Sequence, residues 1–96
     1  MKVLSVSDKV IPALLDTPEN FPELQGVELM LGCGDLPYYY QENIAKKLNV
    51  PLYFVRGNHD VLIEYGTDGE RRAPRNGRDL HRRSVVYENG IVLAGI

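Results

Sequence analysis

Leu52-Tyr53-Phe54-Val55-Arg56-Gly57-Asn58-His59-Asp60 sets an apolar, aromatic and β-branched run directly against a basic residue, a glycine, an amide, an imidazole and a carboxylate. Four apolar residues bounded by a turn signal are long enough for a buried strand and too short for a helix. Two earlier segments repeat the pattern. Residues 3–6 (Val-Leu-Ser-Val) run into Ser7-Asp8, and residues 27–31 (Val-Glu-Leu-Met-Leu) run into Gly32-Cys33-Gly34-Asp35. Each of three expected strands therefore ends on polar residues.

The segments between these strands are crossovers. From Pro37 onward, Tyr40, Ile44, Ala45 and Leu48 recur at helical spacing, and Pro37 suits the first turn of a helix, where its missing N–H has no partner to lose. Glu42 and Lys46 form an i,i+4 pair, Lys46 and Lys47 favour the negative C-terminal end, and Pro51 blocks continuation. Residues 9–26 contain Pro12, Pro18 and Pro22, which forbid one long helix and leave short helical pieces around residues 13–15 and 23–25. Strands joined by such connections are parallel, with right-handed crossovers. Residues 66–83 carry six arginines against three acids, broken by Gly66, Gly69, Pro74 and Gly77, and read as a loop. Residues 84–88 and 91–94 then flank Asn89-Gly90, a dipeptide suited to a type I′ hairpin turn. The expected fold is a parallel βαβαβ unit followed by a β-hairpin.

A chain of 96 residues with 44% hydrophobic and 25% charged residues is one globular domain at most. Its single cysteine cannot form an intrachain disulfide, and the small core it can bury points to a truncated domain. A net charge of −2 supplies no positive field for a nucleic-acid or membrane surface. The N-terminal apolar run is too short for a signal sequence, and none reaches the length of a membrane span. A cytoplasmic protein is the expectation, consistent with the unpaired Cys33.

In an open parallel sheet the C-terminal strand ends lie side by side, and ligands bind there. Asp8, Asp35, Asn58, His59 and Asp60 all fall on that edge. Two carboxylates and a carboxamide are hard oxygen donors for divalent cations, and a carboxylate shared by two metals suits phosphoester hydrolysis by a metal-activated hydroxide. His59 beside them is placed to protonate a leaving alkoxide, with Asp60 to orient the imidazole or favour its protonated form. Gly32, Gly34 and Gly57 allow the backbone to turn tightly around a ligand.

These residues resemble the calcineurin-like metallophosphoesterases over nearly the whole chain. The family pattern is Asp-x-His, then Gly-Asp, then Gly-Asn-His-Asp or Gly-Asn-His-Glu. Here Asp8-Lys9-Val10, Gly34-Asp35 and Gly57-Asn58-His59-Asp60 stand in that order, the last matching in full. The resemblance implies an α/β/β/α sandwich, of which residues 1–96 form an incomplete N-terminal part. It implies two divalent ions (Mn, Fe, Zn, Mg or similar), with Asp8 on the first, Asp35 bridging both, Asn58 on the second, and His59 as general acid. It also implies a phosphate-ester substrate, mono- or diester, with nucleic acid relevant only as substrate, and no membrane partner. Two departures qualify this. Val10 replaces the usual metal-binding histidine, and the later family histidines have no counterpart, His81 lying in a different setting. On this reading the intact protein is active, the piece alone is not, and the alternative is a degenerate, inactive scaffold for protein interaction.

Other features have plainer readings. Arg56, at the strand end, is either a substrate-phosphate contact or half of a surface ion pair. The arginine-rich segment reads as a solvated loop before a phosphate-gripping lid, and Tyr40 as a buried helix residue before a base-stacking one. Cys33 reads as a buried, inert thiol.

Overall fold

The computed structural model describes residues 1–95, with the Asn89 side chain excepted. Strands β1 (Lys2–Val6), β2 (Val27–Gly32) and β3 (Leu52–Phe54) are parallel and adjacent, with Val6 opposite Gly32 and Gly32 opposite Phe54. Helices α1 (Pro12–Asp16) and α2 (Tyr38–Leu48) occupy the two crossovers, and two 3₁₀ turns, Pro18–Asn20 and Pro22–Leu24, complete the first. Each piece of that first crossover begins on one of the three prolines, whose fixed φ starts a helical turn. Helix α2 takes Pro37 as its N-cap and ends at Asn49 in the left-handed conformation, two residues before Pro51.

Alternation along the strands divides the core in two. Met30 and Leu52 point to the helical face and pack with Leu14, Leu36, Tyr40 and Ile44. Leu29 and Tyr53 point to the other face, against Leu80 and the hairpin of β7 (Ser84–Val86) and β8 (Val92–Ala94). Met30 and Ile44 are fully buried; each such side chain contributes about 1.5–3 kcal/mol relative to exposure. Helices thus cover one face of the sheet and a second β layer begins on the other.

The arginine-rich segment departs from its reading as a solvated loop. It contains an antiparallel hairpin, β4 (Glu64–Gly66) with β5 (Gly69–Arg71), and a fourth parallel strand, β6 (Gly77–Asp79), beside β3. Arg71 is only 3% exposed. Its guanidinium forks onto both carboxylate oxygens of Glu42, with Nε to Oε1 at 3.1 Å and Nη2 to Oε2 at 3.0 Å, and onto Asp68 at 2.7–2.8 Å. The expected Glu42–Lys46 pair forms at 3.5 Å, but Glu42 is buried and mainly serves Arg71 and the Arg75 amide.

Two further expectations are corrected. Residues 88–90 form a 3₁₀ turn, with Tyr87 N–H bonded to the Ile91 carbonyl, so the hairpin closes through a longer loop than the two-residue turn read from Asn89-Gly90. Cys33 is exposed and sits 3.4 Å from Ser5 Oγ, because it follows β2 at the open sheet edge instead of lying beneath it.

Candidate active site at the sheet edge

The three strand ends are stitched together by their backbones. Asp8 N–H donates to the Gly34 carbonyl at 3.2 Å, linking the turn after β1 to the turn after β2. Asp8 and Asp35 both adopt left-handed backbone, with φ of 63° and 60°. This conformation is uncommon for a residue with a side chain, is best tolerated by Asp and Asn, and concentrates at functional sites.

The turns after β2 and β3 pack backbone against backbone. A Cβ on Gly34 would lie 2.6 Å from Gly57 N, and a Cβ on Gly57 would lie 2.3 Å from Asp35 Oδ1. Glycine at both positions is what lets the Asp35 carboxylate approach Asn58-His59-Asp60. Asp35 Oδ1 accepts the His59 N–H at 3.0 Å. Asp60 Oδ2 accepts from Gly57 N–H at 2.7 Å and Asp35 N–H at 3.1 Å. The bonds of Asp60 therefore run to amides of the two turns and not to the imidazole. Gln41, buried beneath, donates from Nε2 to the Leu36 carbonyl and holds the same turn from the helix side.

Asp35, His59 and Asp60 are thus directly linked, and Asp8 joins them through Gly34. Asn58 and His59 are exposed at the same edge. Arg56 stands apart: it pairs with Asp79 at 3.3 Å and donates to the Arg72 carbonyl, as the surface ion-pair reading expects. Val10 is exposed, and the following Ile11 backbone is held by the Tyr40 hydroxyl, which accepts from its N–H and donates to its carbonyl.

The donor chemistry suits a hard divalent cation. Among the described residues no hydrogen bond engages Asp35 Oδ2, the Asp8 carboxylate or the Asn58 amide, so these groups keep free oxygen lone pairs. Donor number falls short, since no group of three or more His, Cys, Asp and Glu side chains able to hold a metal gathers among the described residues.

Beside these residues opens a cleft of about 830 Å³, bounded by the start of α2, the segment after His59 and the β4–β5 hairpin. Glu64 organises its mouth: Oε1 accepts Tyr38 N–H at 2.7 Å and Oε2 accepts Tyr39 N–H at 2.8 Å. Proline at the N-cap has no side chain to do this, so a carboxylate from β4 caps α2. The Tyr38 hydroxyl returns to the Val61 carbonyl. Sequence periodicity missed this wall. The available signal was Glu42, an acid on the stripe of Tyr38, Gln41 and Ala45 that the helix buries, followed by an arginine-rich stretch able to neutralise it.

A parallel sheet with two left-handed aspartates and a Gly-Asn-His-Asp turn gathered at its C-terminal edge has the layout of a metallophosphoesterase. The family model for calcineurin-like phosphoesterase matches residues 8–95, and the chain belongs to that family. No curated protein and no solved structure matches it.

Proposed function

We propose that this protein hydrolyses phosphate esters with divalent cations held in part by Asp8, Asp35 and Asn58, and with His59 as general acid. Membership of a phosphoesterase family gives the reaction class. The observation that carries the residue assignment is the backbone-to-backbone packing of Gly34 on Gly57, which sets the Asp35 carboxylate against the His59 turn.

The cations, when bound, supply Lewis-acid charge at the phosphoryl oxygens and lower the pKa of water. The chain's own residues do the rest. Asp35 spends Oδ1 on the His59 amide and keeps Oδ2 for a cation, so metal and histidine are registered by one carboxylate. Asp60 holds the Gly57 and Asp35 amides, fixing the distance between the two turns. Water gives up one proton to solvent as its oxygen forms the new bond to phosphorus, the bond to the alcohol oxygen breaks, and the His59 ring gives that oxygen a proton which solvent then restores to the ring.

The test is thermal melting of the full chain with Mn²⁺, Mg²⁺ or Zn²⁺, alongside hydrolysis of bis(p-nitrophenyl) phosphate and p-nitrophenyl phosphate. A ligand that binds only the folded state raises Tm. Asp35→Asn should remove both the metal-dependent rise and turnover. His59→Gln should keep the rise and lower kcat by about 10²–10⁴-fold. Absence of any metal response, with Asp35→Asn indistinguishable from the parent, would overturn the assignment.

A further inference from the structure

The cleft next to His59 is more than an extension of the catalytic edge, because its lining has a chemistry of its own. Asp35, His59 and Asp60 form one end, and Tyr39, Val61, Ile63 and Tyr65 supply apolar surface beyond them. Tyr65 is 73% exposed, and Leu62 at the adjoining turn is 87% exposed. Apolar surface gathered at the mouth of a concave site is what a ligand covers.

Apart from the Asp35 carboxylate and the His59 ring at the catalytic end, every charged group in the cleft wall has a partner among the described residues. Arg71, the only lysine or arginine lining it among the described residues, is forked onto Glu42 and Asp68 and lies 5.3 Å from the centre of the Tyr39 ring. Glu64 is taken by two helix amides and Asp60 by two turn amides. Asp68 is shared by Arg71 and Arg75. No cation is left for a second anionic group, and the wall's carboxylates disfavour one. Aromatic side chains at the opening instead offer faces and edges to a planar ring.

Building on the hydrolase reading, we propose that the cleft receives the leaving side of the substrate and selects a planar, uncharged aromatic group there. A second phosphate or carboxylate is excluded from it. A volume of about 830 Å³ admits a ring the size of an aryl group or a nucleobase.

The test is amide NMR of the ¹⁵N-labelled full chain in Mg²⁺, titrated separately with methylphosphonate, phenylphosphonate and adenosine. Phenylphosphonate should bind at least tenfold tighter than methylphosphonate and move the Tyr39, Val61 and Tyr65 amides, which methylphosphonate leaves in place. Adenosine shifting the same amides extends the specificity to a nucleobase, and its failure beside a phenyl response restricts it to smaller aryl groups. Tyr65→Ala should erase the phenyl advantage and Tyr65→Phe should keep it. Equal affinities for the two phosphonates, with the cleft amides still, would overturn the proposal. Cleft shifts from the aromatic probes with no response to methylphosphonate at Asp35 or His59 would uphold the cleft and sink the hydrolase reading, so the two are separable.

Discussion

Asp60 spends one carboxylate oxygen on two backbone amides, Gly57 in its own turn and Asp35, 25 residues before it. Charge-assisted bonds of this kind are worth about 1.5–3 kcal/mol each when a partner is deleted. Asp60→Ala should therefore cost about 2 kcal/mol or more in urea unfolding, whereas Asp60→Asn, which keeps an acceptor oxygen, should lose less than half as much. Equal losses for Asn and Ala would mean that the charge, and not the acceptor oxygen, holds the two amides. Gly34→Ala is the sharper case. Its φ of 97° and a Cβ 2.6 Å from Gly57 N leave the new methyl nowhere to go. The backbone conformation alone costs about 1–2 kcal/mol, and the displacement of Gly57 should abolish any metal-dependent rise in Tm even where the variant folds. The residues of this edge were legible in the sequence because glycine, acid and amide directly follow apolar runs. Their bonds were not, since nothing local to Asp60 says that it reaches back to Asp35.

Helix α2 shows the same division between local and distant information. Its span follows from the spacing of Tyr40, Ile44, Ala45 and Leu48, all buried or half-buried, and from a left-handed Asn49 at its end. Its start depends on Glu64, sixteen residues after the helix ends, and that dependence has no sequence signature. Glu64→Gln keeps one acceptor oxygen and loses the charge facing the helix N-terminus; Glu64→Ala loses both. We expect a cost of about 1 kcal/mol for the alanine variant, with faster hydrogen exchange at Tyr38 and Tyr39 as the specific readout. Exchange unchanged at those two amides would mean that the cap contributes nothing. Strands β4, β5 and β6 escaped the sequence reading for a related reason. Each has three residues, Glu-Tyr-Gly, Gly-Glu-Arg and Gly-Arg-Asp, too short for a period of two to emerge and too polar to suggest burial. Gly77 earns its place in β6 only through Phe54, whose ring lies 2.7 Å from where a Cβ would sit.

The arginine-rich segment is tied to the rest of the molecule through Glu42, and this makes the whole fold acid-sensitive in a defined way. Burial opposes ionisation of Glu42, but the Arg71 hydrogen bonds, the Arg75 amide and both guanidinium charges outweigh it and bring its pKa from 4.5 down to about 2. Asp68 is also held well below the usual carboxylate range, chiefly by its bonds to Arg71. A carboxylate whose pKa is lower folded than unfolded contributes fully above the unfolded value and loses its contribution as pH falls through the folded one. Stability should therefore be flat with respect to these groups above about pH 5, and should decline from pH 4.5 toward pH 2 as Glu42 takes up its proton. Glu42→Gln should be destabilised at neutral pH by about 3 kcal/mol, since it leaves Arg71 buried with one anionic partner in place of two. It should also show a shallower loss between pH 4.5 and 2. Equilibrium unfolding in urea at each pH, for parent and variant, measures both effects. Parallel curves for the two proteins across that window would assign the acid sensitivity to other carboxylates. Because Arg71 and Asp68 also line the cleft beside His59, protonation of Glu42 should loosen the β4–β5 hairpin and weaken phenylphosphonate binding before the sheet itself unfolds.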